Sequence, residues 1–233
     1  MHSAQLGARG VCVLYMNIQS QSDTQGYPER DNVPANILTR YCATKRQYRI
    51  QCFAFFAAIF KVLRISLKKK KKKKKQPSWC KDMCEIGSST RTSFFVDLEK
   101  VYLQVSTINV RYFGGIFTYL QVKNAISTTS QGRAVMKECY KKLVASKSFP
   151  QAKENEPRLV IAFDEGHVLH EKNDFQPFHR ATVLLQTIKE YSEGNNNAVW
   201  VVFASTTSNV AHVASPQALC AWCYDSSLSC KLQ

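Results

Sequence analysis

Two short apolar runs in the second half of the chain set the expected architecture. Leu159 to Phe163 are all apolar and lead directly into Asp164 and Glu165. Ala198 to Ala204, Ala-Val-Trp-Val-Val-Phe-Ala, do the same and lead into Ser205-Thr206-Thr207-Ser208. An unbroken apolar run of this length, closed by polar residues, predicts a strand buried on both faces, and such strands belong to parallel sheets covered by helices. Between the two runs, residues 178–193 place Val183, Leu184, Leu185, Ile188 and Tyr191 along one side of a predicted helix, which Glu193-Gly194-Asn195-Asn196-Asn197 ends. Strand, helix and strand with short connections make a βαβ unit, whose strands run parallel.

Upstream the pattern is mixed. Residues 10–17 predict another strand, and 18–36 are polar and turn-rich, so they predict a loop. From about Ile37 to Leu67, Phe53, Phe56, Ala57, Phe60 and Leu63 recur at three- and four-residue spacing. That spacing predicts a helix, apolar over much of its circumference and therefore largely buried. Residues 131–147 predict a second helix, with Val135, Met136, Cys139, Leu143 and Val144 on one side. The stretch 79–130 fits two patterns: strands over Phe94-Phe95-Val96 and Val101–Val110, or a helix followed by a strand. Pro150 and residues 151–157 form a linker, and 214–233 carry no periodicity and read as a tail. The expected fold class is α/β, an incomplete parallel sheet with flanking helices over residues 10–213. Residues 68–130 interrupt it as a poorly defined, low-complexity insert.

Charge changes this picture less than its size suggests. The net charge is +15, but eight positive charges belong to the unbroken run Lys68–Lys75, so the rest of the chain carries +7. Eight like charges repel one another and predict a solvated or disordered segment. A nuclear-import signal, a nucleic-acid tail or a basic anchor beside an amphipathic helix are the functional readings of that run, and an insertion without a role is the plainer one. The nine cysteines, an odd number with no signal peptide ahead of them, read as reduced thiols in an intracellular protein, cytoplasmic or nuclear. The longest uncharged apolar stretch, Cys52–Phe60, stops at Lys61, short of the roughly 18–20 residues that span a bilayer, so no membrane span is expected.

The chemistry sits at the ends of the two strands. In a parallel sheet, ligands bind outside the carboxyl ends of the strands. Phosphoryl transfer needs a carboxylate to fix a metal ion, a second to act on water, and a hydroxyl nearby to sense the terminal phosphate. Asp164, Glu165, and Ser205 with Thr206 supply those groups in that order. Leu-Val-Ile-Ala-Phe-Asp-Glu-Gly-His at 159–167 and Val-Trp-Val-Val-Phe-Ala-Ser-Thr-Thr-Ser at 199–208 resemble the Walker B and sensor 1 strands of P-loop NTPase-like proteins of AAA/STAND type, in particular a group abundant in mushroom-forming fungi. Asn17–Pro28 and Gln47–Phe60 also resemble that group. The likeness covers about half the chain. It implies ATP and Mg²⁺ as ligands, Asp164 holding Mg²⁺ through water and contributing to nucleotide binding, Glu165 acting on water, and Ser205 and Thr206 sensing the γ-phosphate.

The chain departs from that family at one necessary place. No G-x-x-x-x-G-K-[ST] string occurs, so the backbone cradle and the lysine that hold the phosphates are missing. Gly87-Ser88-Ser89-Thr90-Arg91-Thr92-Ser93 is the nearest run and contains no lysine. The family order would put the P-loop before residue 10. The expectation is an N-terminally truncated, degenerate ATPase-like chain whose ancestral activity is lost and whose strand 199–204 lies at a sheet edge. The family's usual Ala is Gly166 here, which is expected to loosen the turn.

The same residues fit other patterns. Asp164-Glu165 also fits an acidic helix N-cap after a core strand. A non-catalytic interaction protein, an inactive gene-model remnant and a basic nucleic-acid-associated protein are the alternatives at the level of function. DEAH-box helicases share the Asp-Glu-x-His pattern, but no arginine-rich second motor domain follows. His167 and His170 do not make H-E-x-x-H, so His167 is read as a solvent-facing or supporting side chain and His170 as a surface one. Cys220-Ala-Trp-Cys223 and Cys80-Lys-Asp-Met-Cys84 offer thiol pairs near zinc spacing, with scattered free thiols the favoured reading. No G-x-S-x-G elbow or RNP-like pattern is present.

Overall fold

The computed structural model describes residues 11–21, 29–72, 79, 82–83, 85, 87–106, 110–113, 116–119, 126–149, 157–170, 177–192 and 199–204. Strand β1 spans Cys12–Asn17, and helices α1 (Asn32–Leu38), α2 (Lys45–Lys72) and α3 (Ser89–Val105) follow. A short antiparallel hairpin, β2 (Val110–Phe113) and β3 (Ile116–Tyr119), precedes helix α4 (Thr129–Val144). Strand β4 (Leu159–Asp164), a 3₁₀ turn at Gly166–Leu169, helix α5 (Arg180–Ser192) and strand β5 (Val199–Phe203) complete the order.

The main sheet has three parallel strands in the order β1-β4-β5. Its register explains the apolar runs. Cys12, Leu14 and Met16 share one face with Leu159, Ile161, Phe163, Val199, Val201 and Phe203, because partners in register point the same way. That face lies in the main core. Val13 and Val160 lie on the opposite face with Val11 in a small separate cluster. The same opposite face carries Tyr15, Asp164, Trp200 and Val202.

Helix α2 is the axis of the core. Residues 51–60 are all buried, and the helix packs along α4, α3 and α5. Thr44 and Gln47 start it with a reciprocal capping box: Gln47 N–H donates to Thr44 Oγ1 at 3.2 Å, and Thr44 N–H donates to Gln47 Oε1 at 3.2 Å. Phe55 meets Phe163 of the sheet at 6.4 Å between ring centres, and Phe60 meets Tyr140 of α4 edge-on at 5.4 Å. Each such ring contributes on the order of 1.5–3 kcal/mol through burial. Three polar side chains inside are paired: Tyr48 donates to the carbonyl of Leu38 at 2.9 Å, Cys42 to Gln51 Oε1 at 3.3 Å, and Gln51 to the carbonyl of Ile37.

Several expectations change here. The loop expected over 18–36 contains the start of α1 at Asn32. Of the lysine run, Lys68–Lys72 extend α2, with Lys68 and Lys69 exposed as the solvated alternative expects, and Lys73–Lys75 lie outside the described residues. The stretch read as an ill-defined insert holds α3, whose Phe94, Leu98 and Tyr102 belong to the main core, followed by the hairpin, so the helix-then-strand alternative is the one observed. The glycine–hydroxyl run at 87–93 starts α3: Ser88 is its N-cap and accepts from Arg91 N–H at 3.1 Å. Lys45–Lys69 is long and apolar enough, by length and composition, to cross a membrane, although the sequence reading found no such stretch. A helix tolerates Lys61 and Arg64 at its margin where a linear apolar count does not. Most of that stretch is buried inside the fold, as befits a core helix.

Candidate functional site

The parallel register brings the carboxyl ends of β1, β4 and β5 to one rim. Asn17 lies level with Asp164, and Ile18 N–H donates to the carbonyl of Asp164 at 3.1 Å. On the other side, Ala204 N–H donates to the carbonyl of Phe163 at 2.8 Å, and Gly166 N–H donates to the carbonyl of Ala204 at 3.0 Å. The turn after Asp164-Glu165 is therefore stitched to the tip of β5. Ser205 and Thr206, which follow Ala204 in the chain, lie outside the described residues, as do Cys80, Cys84, Cys220 and Cys223.

Gly166 does not loosen this turn. It is buried, and a Cβ there would meet the Phe203 ring at 3.1 Å. The missing side chain lets the turn close onto β5. Phe203 also stacks on Phe163 with 5.4 Å between ring centres, so the two strand tips are locked by one aromatic pair.

Asp164 is engaged by its own chain. Its Oδ1 accepts from Glu165 N–H at 3.0 Å, and its Oδ2 accepts from the Tyr15 hydroxyl on β1. Burial, with the Asp164 hydrogen bond and charge and the charge of Asp31, pushes the Tyr15 phenol above its ordinary range, and Arg91 opposes that rise. The Tyr15 ring faces the Arg91 guanidinium, 5.5 Å from ring centre to Cζ, and the Phe95 ring lies 5.1 Å from the same carbon. Arg91 donates to Asp31 through Nε at 3.2 Å and through a terminal nitrogen, and to the carbonyl of Met83 at 2.7 Å. Asp31 in turn accepts from Asn17 N–H at 2.8 Å. Burial raises the Asp31 carboxyl, against the lowering effect of Arg91 and of the Asn17 N–H. A chain of polar contacts thus runs from the start of α1 through α3 and β1 to Asp164.

Glu165 adopts left-handed backbone, φ 57° and ψ 38°. An L-residue with a long side chain pays for that conformation, and such residues concentrate at functional sites. Its carboxylate faces His167 Nδ1 at 3.0 Å. The alternative reading as an N-cap is not met in its side-chain form, since Glu165 makes no capping hydrogen bond to the 3₁₀ turn. His167 is partly buried. His170, expected at the surface, is also partly buried and stacks on His179 at 6.4 Å between ring centres.

The family models, the curated proteins and the solved structures offer no match to this chain.

The Mg²⁺ that the P-loop resemblance implies fits poorly at this rim. Among the described residues no group of three or more His, Cys, Asp and Glu side chains is placed to hold a metal ion. Both oxygens of Asp164 already accept hydrogen bonds. Tyr15, Asp31 and Arg91, which complete the rim, escaped the sequence reading. Tyr15 looks like one more residue of an apolar strand, and Arg91 lies 73 residues from Asp164 in the chain. The alternation of β1 was the available signal for Tyr15, since it puts Tyr15 and Asp164 on one face once the register is known.

Proposed function

We propose that this chain carries the Walker B and sensor 1 half of a P-loop NTPase-like domain in a degenerate form that does not hydrolyse nucleotide. The observation that supports it is the shared rim: two adjacent parallel strands, one delivering Asp164-Glu165 and the other ending at Ala204, with the two tips stitched through Gly166. The lack of a G-x-x-x-x-G-K-[ST] string and the engagement of Asp164 by Tyr15 support the loss of turnover. Phosphate release from ATP in the presence of Mg²⁺ tests it: a rate indistinguishable from buffer is expected, unchanged in Glu165→Gln. Turnover that Glu165→Gln abolishes would overturn the proposal.

One observation favours a second reading, a protein interaction domain. Strand β5 is the outer strand of the described sheet, and Trp200 and Val202 are each 44% exposed there. Exposed aromatic residues on an edge strand are suited to binding another polypeptide. If that reading is right, Trp200→Arg shifts the sedimentation of a complex without changing the circular dichroism of the chain.

A further inference from the structure

We propose that Tyr15 is a latch on Asp164, holding the carboxylate against β1 and so keeping it from a divalent cation. The inference rests on the reading of Asp164 as the metal-facing acid of a Walker B strand. It also accounts for the poor fit of a cation at this rim.

The geometry has three parts. Asp164 stands on the same sheet face as Tyr15, two residues past Ala162, the register partner of Tyr15, so the phenol reaches Oδ2 across the β1–β4 ladder. Oδ1 is held from the other side by Glu165 N–H at 3.0 Å. Two opposed donors fix the carboxylate's rotation, and a hydrogen bond to an ionised acceptor is about twice as strong as a neutral one. A cation-bound water would have to approach an oxygen that the phenol already covers.

The latch is itself held. Arg91 lies over the Tyr15 ring at 5.5 Å, and its side chain is only 5% exposed. Its other contacts are to Asp31, at the start of α1, and to the carbonyl of Met83. The phenol's position therefore depends on where α1 and α3 begin. A shift of either helix start moves the ring and, with it, the hydrogen bond to Asp164. These contacts exceed what packing of one tyrosine requires: an apolar ring in the same place would leave Asp164 turned to solvent.

The experiment uses Mn²⁺ alone as the probe, with binding to the full chain followed by the loss of its free-ion electron paramagnetic resonance signal at neutral pH. Tyr15→Phe keeps the ring beneath Arg91 and removes only the hydroxyl. It is expected to bind Mn²⁺ at least about tenfold more tightly than the unaltered chain, the scale of one charged hydrogen bond released. Adding Asp164→Asn to Tyr15→Phe is expected to remove the whole gain. Tyr15→Met, whose flexible side chain fills the same space, carries the same test should Tyr15→Phe disturb the fold, as circular dichroism would show. Equal Mn²⁺ affinity with and without the hydroxyl, lost in both cases on Asp164→Asn, overturns the latch and leaves the metal-facing reading of Asp164 standing. Mn²⁺ affinity indifferent to Asp164→Asn in every background overturns both.

Discussion

Arg91 and Asp31 form an ion pair that the fold hides from water, with side chains 5% and 11% exposed and Nε 3.2 Å from Oδ1. It ties the start of α3 to the start of α1 and braces the Tyr15 ring. Removing one partner of a buried pair strands the other charge, which costs roughly 3–5 kcal/mol. Arg91→Met is therefore expected to lower the unfolding free energy by about that amount in urea titrations. Asp31→Asn should cost less, because the amide oxygen still accepts from Asn17 N–H and from Arg91. Equal, sub-kilocalorie effects of both would show that the pair does not brace the rim.

The left-handed backbone at Glu165 gives a second prediction. Glycine adopts φ 57° without the steric penalty of about 1–2 kcal/mol that an L-residue carries. Glu165→Gly gives up only a part-exposed contact with His167. The variant is expected to be more stable by about 0.5–1 kcal/mol, seen as a rise in thermal midpoint. A stability gain on deleting this side chain would mark Glu165 as kept for something other than folding. A loss would make it a structural residue.

Gly132 of α4 lies directly against Phe53 of α2. A Cβ there would lie 2.9 Å from Phe53 Cδ2, 3.0 Å from Phe53 Cβ and 3.0 Å from Ile126 Cγ2. Alanine in a helix is favoured over glycine by about 1 kcal/mol. Overpacking a core costs about 1–3 kcal/mol, and Phe53 Cβ cannot swing aside because it is fixed to the α2 backbone. The clash wins where Phe53 cannot give way, so Gly132→Ala should destabilise by up to about 2 kcal/mol in denaturant titrations. Stabilisation would mean that α2 and α4 sit further apart.

Alkali should unfold the protein early. Burial raises the thiols of Cys42, Cys52 and Cys139 and the phenols of Tyr48, Tyr102 and Tyr140 above their ordinary values. In the unfolded chain these groups ionise normally, from about pH 9 for thiols upward, so there the unfolded state binds fewer protons than the native one. The stability they contribute is complete below that pH and falls as pH rises, with a slope of up to about 1.4 kcal/mol per pH unit for each group. Asp31 has the same sign at lower pH, since its raised carboxyl makes the folded state the better proton binder. Urea midpoints at pH 7, 9 and 10 check this: a steady fall is expected, and a flat profile would contradict it. In the native state at pH 8, Cys12, Cys42 and Cys52, all buried, should stay silent to a thiol reagent that labels them after unfolding.

The sequence disclosed the sheet better than the helices around it. The uninterrupted runs at 159–163 and 199–203 announced two strands and the rim at their polar ends, but burial on both faces is approached only by β4; β5 has one face open, with Trp200 and Val202 exposed, because it is the outer strand of the described sheet. The start of α3 was harder: Ser88 caps a helix in which Phe94, Phe95 and Val96 have strand-like local preference, and burial of Phe94 and Leu98 in the core decides the matter. Lys68–Lys72 stay helical because α2 enters them from twenty-odd residues of packed core, an effect invisible in the charge run itself. The rim's supporting residues were hidden for a different reason. Tyr15, Asp31 and Arg91 come from three elements, and only their assembly shows that they serve Asp164.

The most direct test of this account is isothermal titration of the full chain with ATP in the presence and absence of Mg²⁺. A rim whose acid is held by Tyr15, in a chain without the phosphate-cradling loop, predicts no Mg²⁺-dependent binding in the micromolar range. Saturable micromolar binding that needs Mg²⁺ and disappears in Asp164→Asn would contradict it.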